Sequence, residues 1–193
     1  MTGAYAVFLL FKLGIRIGEV AAIKEYDIDF SSKEIHIQRM ETIKKDESGK
    51  LRPVIVPYTK TDNSNRFLPL DDYDMELLKR VLEINKSYGY EDDHFVFVDA
   101  VGRTKIREID NRIRKCCRNA GIEVKSAHDI RRTVASEMHM NGVPIELIRD
   151  YLGHKDIKTT WDYIYDNKSK AESSRMIANA LKSMNGLTGT QVS

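Results

Sequence analysis

The spacing of apolar and polar residues changes several times along this chain, and each change marks an element. Positions 4–13 are apolar almost all round, the pattern of a helix buried on every side. Gly14 interrupts the run, and Ile17, Val20, Ala21 and Ile23 predict a short second helix. From Glu34 the period shortens to two, with Ile35 and Ile37 alternating with polar neighbours as in a half-buried strand. Residues 44–52 are charged and contain Gly49, which predicts a hairpin loop. Val54, Val56 and Tyr58 form a second alternating run, residues 61–65 a turn, and Phe67, Leu68 and Leu70 a third strand. These runs predict a small three-stranded antiparallel sheet.

Helical spacing then returns. Asp71 and Asp72 suit the start of a helix carrying Met75, Leu78, Val81 and Leu82. Phe95 to Val98 read as a short buried strand. Ile106, Ile109, Ile113, Cys117 and Ala120 fall on one stripe that closes at Gly121. Three more helices are predicted over 128–140, 144–152 and 157–165, and a last amphipathic one carries Ile177, Leu181 and Met184. The expected fold class is α+β, mostly α-helical, with one small antiparallel sheet. One domain is expected over residues 1–185, followed by a flexible tail at 186–193.

Composition narrows the class. The 193 residues, 41% hydrophobic and 31% charged, exclude a wholly disordered chain. The longest apolar run, residues 4–11, is far short of the roughly 20 residues a membrane span needs. It also has neither the basic leader nor the cleavage site of a signal peptide. Cys116 and Cys117 are adjacent, which gives no disulfide framework. A cytoplasmic protein without a membrane partner is expected.

A formal charge of +2 speaks against a protein that simply coats nucleic acid, but the sum conceals a segregation. Residues 71–93 carry eight acids against three bases, and residues 103–132 carry ten bases against four acids. Arg107, Arg114 and Arg118 share one helix face, roughly opposite the apolar stripe. With Arg103, Lys105 and Arg132 they form a candidate DNA-binding surface. A solvated helix face is the alternative.

The densest chemistry is His128-Asp-Ile-Arg131-Arg-Thr, followed by Leu152-Gly-His154 and then Tyr163. His128 and Arg131 are three apart and project from one helix face. A guanidinium presents a planar fork of donors that fits phosphate oxygens, and histidine moves protons near neutral pH. A metal held by His128, Asp129 and His154 is the other option. Asp129, however, points about 100° round the helix from His128, and an arginine beside a cation is unfavourable.

This run resembles the second signature box of the tyrosine recombinases, the phage-integrase family. LGIRIGEV, residues 13–20, is similar to the family's first box and places the first catalytic arginine at Arg16. TKTDNSNRFLPL, residues 59–70, resembles the strand–turn–strand that carries the catalytic lysine, here Lys60. The resemblance implies cleavage and rejoining of double-stranded DNA through a covalent 3′-phosphotyrosine. Arg16 and Arg131 would grip the nonbridging oxygens, and His128 and His154 would bind the phosphate and handle the nucleophile's proton. Lys60 would protonate the leaving 5′-oxygen, and Tyr163 would be the nucleophile. No metal or other cofactor is implied.

The family also works with further protomers, as a tetramer on DNA, and carries an N-terminal core-binding domain that is expected to lie outside this chain. Tyr165 and Tyr151 are competing aromatics. Glu19 reads either as a support for the arginines or as an ordinary solvent-facing acid. Two other readings stay open: a type IB topoisomerase, and a noncatalytic module using residues 128–152 as a helix-turn-helix.

Overall fold

The structure, a computed structural model, describes residues 2–58, 63–87, 94–99, 101–164 and 178–179. Helix α1 (Gly3–Leu13) runs through the centre, burying Ala6, Val7, Leu9, Leu10 and Leu13. It ends because Gly14 turns left-handed at φ 60° and donates its N–H to the Leu10 carbonyl at 2.9 Å. Arg16 is extended and starts α2 (Ile17–Val20), a single turn on which the Glu19 carboxylate accepts the Arg16 backbone N–H at 2.8 Å. That local bond brings an arginine and a carboxylate together before any tertiary contact is made.

The sheet differs in detail from expectation. Strands β1 (Ile28–Asp29), β2 (Glu34–Ile37) and β5 (Arg66–Pro69) form the antiparallel three-stranded sheet, in the order β1-β2-β5. The predicted middle strand belongs elsewhere: β3 (Arg39–Lys45) and β4 (Leu51–Pro57) pair only with each other, from Arg39↔Pro57 to Lys45↔Leu51. The expected hairpin loop at 44–52 is present but shorter, its ends 44–45 and 51–52 belonging to the strands and residues 46–50 forming the turn, in which Asp46 accepts the N–H groups of Ser48 and Lys50. Much of the ribbon is exposed, including Ile43 and Leu51, and β3, which buries fully only Glu41, shows no period-two pattern in the sequence.

Register matters most in β5. Leu68 faces the core opposite Ile35, and side chains on a strand alternate. Arg66, two residues earlier and paired with Ile37, is consequently turned inward while Phe67 faces out and stacks on His36 at 4.1 Å. The short hairpin of β6 (Val98–Asp99) and β7 (Gly102–Arg103) follows the buried run from Phe95.

The remaining helices are α3 (Asp72–Ser87), α4 (Ile106–Asn119), α5 (Ala127–Met140), α6 (Ile145–Leu152) and α7 (Ile157–Trp161). Sequence-encoded caps set their starts. Asp71 and Asp74 exchange backbone bonds at α3, and Ser126 and Asp129 do so at α5. The last helix is shorter than predicted: α7 stops at Trp161, and Tyr163 lies in the turn beyond it. The amphipathic segment around Ile177, Leu181 and Met184 lies outside the described residues, as does the proposed boundary at 185.

Two apolar clusters result. The larger one gathers α1, α2, the sheet, α3 and α4; the smaller is built on Ala135, Ile148 and Leu152 of α5 and α6. Tyr151 packs against both. Among the described residues no helix is long and apolar enough to cross a membrane.

Gly14 joins the two halves closely: a Cβ there would stand 2.8 Å from Val134 Cβ in α5. Gly14→Ala combines that clash with left-handed strain and is expected to cost about 2–4 kcal/mol of unfolding free energy in urea. A loss under about 1 kcal/mol would show that α1 and α5 separate here freely.

Candidate functional site

The site occupies the seam between the clusters, where α1 and α6 both end. Glu19 is fully buried and receives donors from three sides. Arg66 grips it with both terminal nitrogens, Nη1 to Oε1 at 3.0 Å and Nη2 to Oε2 at 3.1 Å. Arg16 Nη1 donates to Oε1 at 2.8 Å and the Tyr58 hydroxyl to the same oxygen at 3.0 Å. Burial alone would push this carboxyl up; Arg66 above all, then Arg16 and Arg131, overrule it and hold it down to about 2. Glu19 is a support of the arginine cluster, not a solvent-facing acid.

The arginines also use the free carbonyls that every helix C-terminus leaves over. Arg131 Nη1 donates to Gly14 O at 2.8 Å, at the end of α1, and its Nη2 to Leu152 O at the end of α6. Arg16 Nη2 donates to Gly153 O at 2.8 Å, and Nη1 also reaches Ser64 Oγ at 3.2 Å. Gly153, left-handed at φ 67°, turns α6 away so that these carbonyls face the guanidinium groups. Burial and the neighbouring charge of Arg16 bring Arg131 down to about 10, still protonated at neutral pH. Burial lowers Arg16 as well, but Glu19 outweighs it and the net shift is upward.

His154 follows the Gly153 corner and is buried, with Nδ1 3.0 Å from Thr160 Oγ1. Burial, then the charges of Arg131, Arg16 and Arg66, push it down to about 4, so it is neutral at pH 7. Tyr163 hangs from α7 by a backbone bond to Thr160 O at 3.1 Å. Its ring lies 4.6 Å from the His154 ring and 4.8 Å, edge on, from His128. The Arg131 guanidinium carbon is 5.9 Å from the Tyr163 ring centre. The Tyr163 hydroxyl meets His128 Nδ1 at 3.2 Å. Among the described residues, two polar atoms of this cluster are buried without a partner, Arg131 Nε and His154 Nε2. Leaving such donors unsatisfied is costly unless an acceptor joins them.

Of the residues singled out in the sequence, Arg16, His128, Arg131, His154 and Tyr163 converge here. Lys60 and Tyr165 lie outside the described residues. Lys105, Arg107, Arg114 and Arg118 are exposed along α4 and its approach, Arg114 paired with Asp110 at 2.8 Å. Arg103 is different: its guanidinium is nearly buried against Glu41 and the ring of Phe95. Arg132 donates to Asp162 O at 2.9 Å and so bears on the turn before Tyr163. Among the described residues no group of three or more His, Cys, Asp or Glu is placed to hold a metal.

Sequence reasoning missed Arg66, Ser64, Tyr58 and Thr160. Only Arg66 carried a signal, a charge in step with Leu68 and Leu70 on the buried face of a strand. The Tyr151 ring bridges the two clusters, its phenol pushed by burial up to about 12, and its carbonyl accepts from Arg66 Nε.

The family model described as the phage integrase family matches residues 1–171. A protein of Caldanaerobacter subterraneus subsp. tengcongensis, named tyrosine recombinase XerC-like, is 31% identical over 169 residues, 80% of this chain and 43% of the relative. A probable integrase/recombinase of Acholeplasma phage L2 is 24% identical over 163 residues, 84% of this chain and 48% of its own. The chain thus spans about half the length of the curated relatives it matches. Among solved structures, XerA recombinase superposes with a TM-score of 0.69 at 23% identity, over 93% of this chain and 56% of that one. The Tn1549 transposon integrase, in complex with transposon right end DNA, gives 0.72 at 19%, over 92% and 58%. At these identities the structural likeness establishes the fold.

The buried His154 sets a pH dependence. Its folded pKa of about 4 lies below the ordinary 6.5, so its contribution to stability is complete above pH 6.5 and is lost as pH falls toward 4. Glu19 acts in a lower window, between 4.5 and about 2. Between pH 7 and 5 the unaltered chain is expected to lose about 1–2 kcal/mol more unfolding free energy than His154→Asn. Parallel losses in urea titrations would remove His154 as the cause.

Proposed function

The chain belongs to the phage integrase family, the tyrosine recombinases, and on that premise we propose that it cuts and rejoins duplex DNA for site-specific recombination and integration. The observation that carries this reading is the Tyr163 hydroxyl on His128, 3.2 Å away, beside two buried nitrogens that have no partner among the described residues, Arg131 Nε and His154 Nε2. A phosphodiester is an acceptor of the right charge and shape for those donors.

In this mechanism the Tyr163 oxygen attacks the scissile phosphorus as His128 takes the phenol proton. The bond from phosphorus to the 5′-oxygen breaks, a 3′-phosphotyrosine forms, and Lys60 gives the departing 5′-oxygen its proton. Arg16 and Arg131 stabilise the charge that grows on the nonbridging oxygens, a contribution of about 10²–10³ in rate for each such preorganised donor. With Thr160 donating to Nδ1, neutral His154 keeps its proton on Nε2 and offers it to the phosphate. The phosphotyrosine retains the bond energy, and attack by a 5′-hydroxyl reverses the step without a nucleotide.

The exposed bases Lys105, Arg107, Arg114 and Arg118 would lie along the DNA backbone, with Arg132 steadying the turn before Tyr163. Duplex DNA and further protomers are the partners on this reading, and the cytoplasm the working place. That the Tn1549 integrase was solved on transposon DNA supports the choice of ligand.

A DNA substrate nicked a few nucleotides beyond the cleavage site, so that the short piece bearing the new 5′-hydroxyl diffuses away, traps the covalent protein–DNA adduct. Tyr163→Phe is expected to lower trapping by at least about 10³-fold, while Tyr165→Phe leaves it intact. Trapping that survives Tyr163→Phe and is lost in Tyr165→Phe would reassign the nucleophile.

A further inference from the structure

Arg66 belongs to neither signature box, yet its side chain is only 7% exposed and makes more bonds within the site than any of the arginines expected there. We propose that Arg66 is a positioning residue for strand cleavage: by holding both oxygens of Glu19 and the Tyr151 carbonyl, it keeps Arg16 and the corner bearing His154 at the spacing one phosphate requires. The inference rests on the cleavage reading above.

Two features of the geometry carry it. The first is the division of the Glu19 carboxylate. Oε2 is taken by Arg66 Nη2 and by the Arg16 backbone N–H, and Oε1 is shared by Arg66 Nη1, Arg16 Nη1 and Tyr58. Arg16 is thereby limited to one prong on the carboxylate and sends its other terminal nitrogen to Gly153 O. Without Arg66, the favoured arrangement of an isolated arginine and carboxylate is a two-pronged pair. Arg16 would then swing onto Glu19 and spend its charge there rather than on a phosphate. Lysine cannot replace Arg66, because a single ammonium cannot occupy both oxygens while reaching a carbonyl behind it.

The second feature is reach. Arg66 sits on β5, in the sheet, and Tyr151 on α6, just before the Gly153 turn and His154. A Cβ at Gly153 would lie 3.0 Å from Arg66 Nη1, so the corner rests directly on the guanidinium. Arg66 Nη1 also donates to Ser64 O at 2.9 Å, and the Ser64 hydroxyl meets Arg16. One side chain thus indexes both halves of the cradle, while its burial keeps it from touching DNA itself.

The test is single-turnover adduct formation on the nicked substrate at saturating DNA, with each variant run well below its unfolding midpoint. Arg66→Lys is expected to slow adduct formation about 10²-fold. Its DNA affinity should stay within about threefold, and the salt dependence of binding should be unchanged, because no phosphate contact is removed. In an Arg16→Lys background the same change should cost only about tenfold, since one of the two groups it positions is already altered and only the His154 corner remains to be misplaced. Should Arg66→Lys fail to fold, Glu19→Gln, which keeps the volume but loosens the grip, is expected to show the same loss and the same dependence on Arg16. An unchanged rate in the folded variant overturns the proposal, as does an equal loss in the Arg16→Lys background. So does a loss that disappears on cooling, which marks a purely structural role. No adduct from the unaltered chain would instead remove the Tyr163 reading, and this inference with it.

Discussion

Two guanidinium groups share one buried carboxylate, and a third stands close enough to act on its charge. Charge of one sign cannot be concentrated out of water without compensation, and Glu19 compensates for only part of what Arg16, Arg66 and Arg131 bring. The remainder is met by backbone carbonyls at the ends of α1 and α6, the negative poles of two helices. Both helices therefore have to stop at this place, and both do so with a glycine in the left-handed conformation. The positions of the sheet, of α6 and of the Tyr163 turn follow from satisfying these cations. A positive balance remains in the pocket, and an anion is the natural way to complete it.

Much of this was legible in the sequence because the features involved are local. The all-round apolar run of α1, the acidic start of α3 at Asp71 and Asp72, and the stripe along α4 depend on neighbours a few residues away. The box residues were legible for a different reason, their order and spacing along the chain. What escaped notice was set by tertiary register. Arg66 turns inward only because β5 pairs with β2 so that Leu68 meets Ile35, and Tyr58 reaches Glu19 only once the β3–β4 ribbon has folded back. Of the ribbon, β4 was read as a strand but paired with the wrong partner, while β3 was missed because it buries little beyond Glu41, and burial is what writes alternation into a sequence.

On the proposed mechanism, proton chemistry and phosphate grip fall to different environments. His154 is buried among arginines, held neutral and tied to Thr160, whereas His128 stands exposed on the first turn of α5 against the Tyr163 hydroxyl. Two histidines of one sequence box are thereby set different tasks by their surroundings. The segment from His154 to Tyr163 is compact, with Asp156 capping α7 and Thr160 bonding backward to His154 and forward to Tyr163. A change at Thr160 would reach both groups at once.

The bond from Arg16 to Gly153 spans 137 positions of sequence. Arg16 and Glu19 leave a ribosome long before the carbonyls and the histidine that complete their surroundings. Contacts of such separation form late, after local helices and the sheet have appeared. A nascent chain would thus gather its hydrophobic body before the cradle proposed to cut DNA was complete.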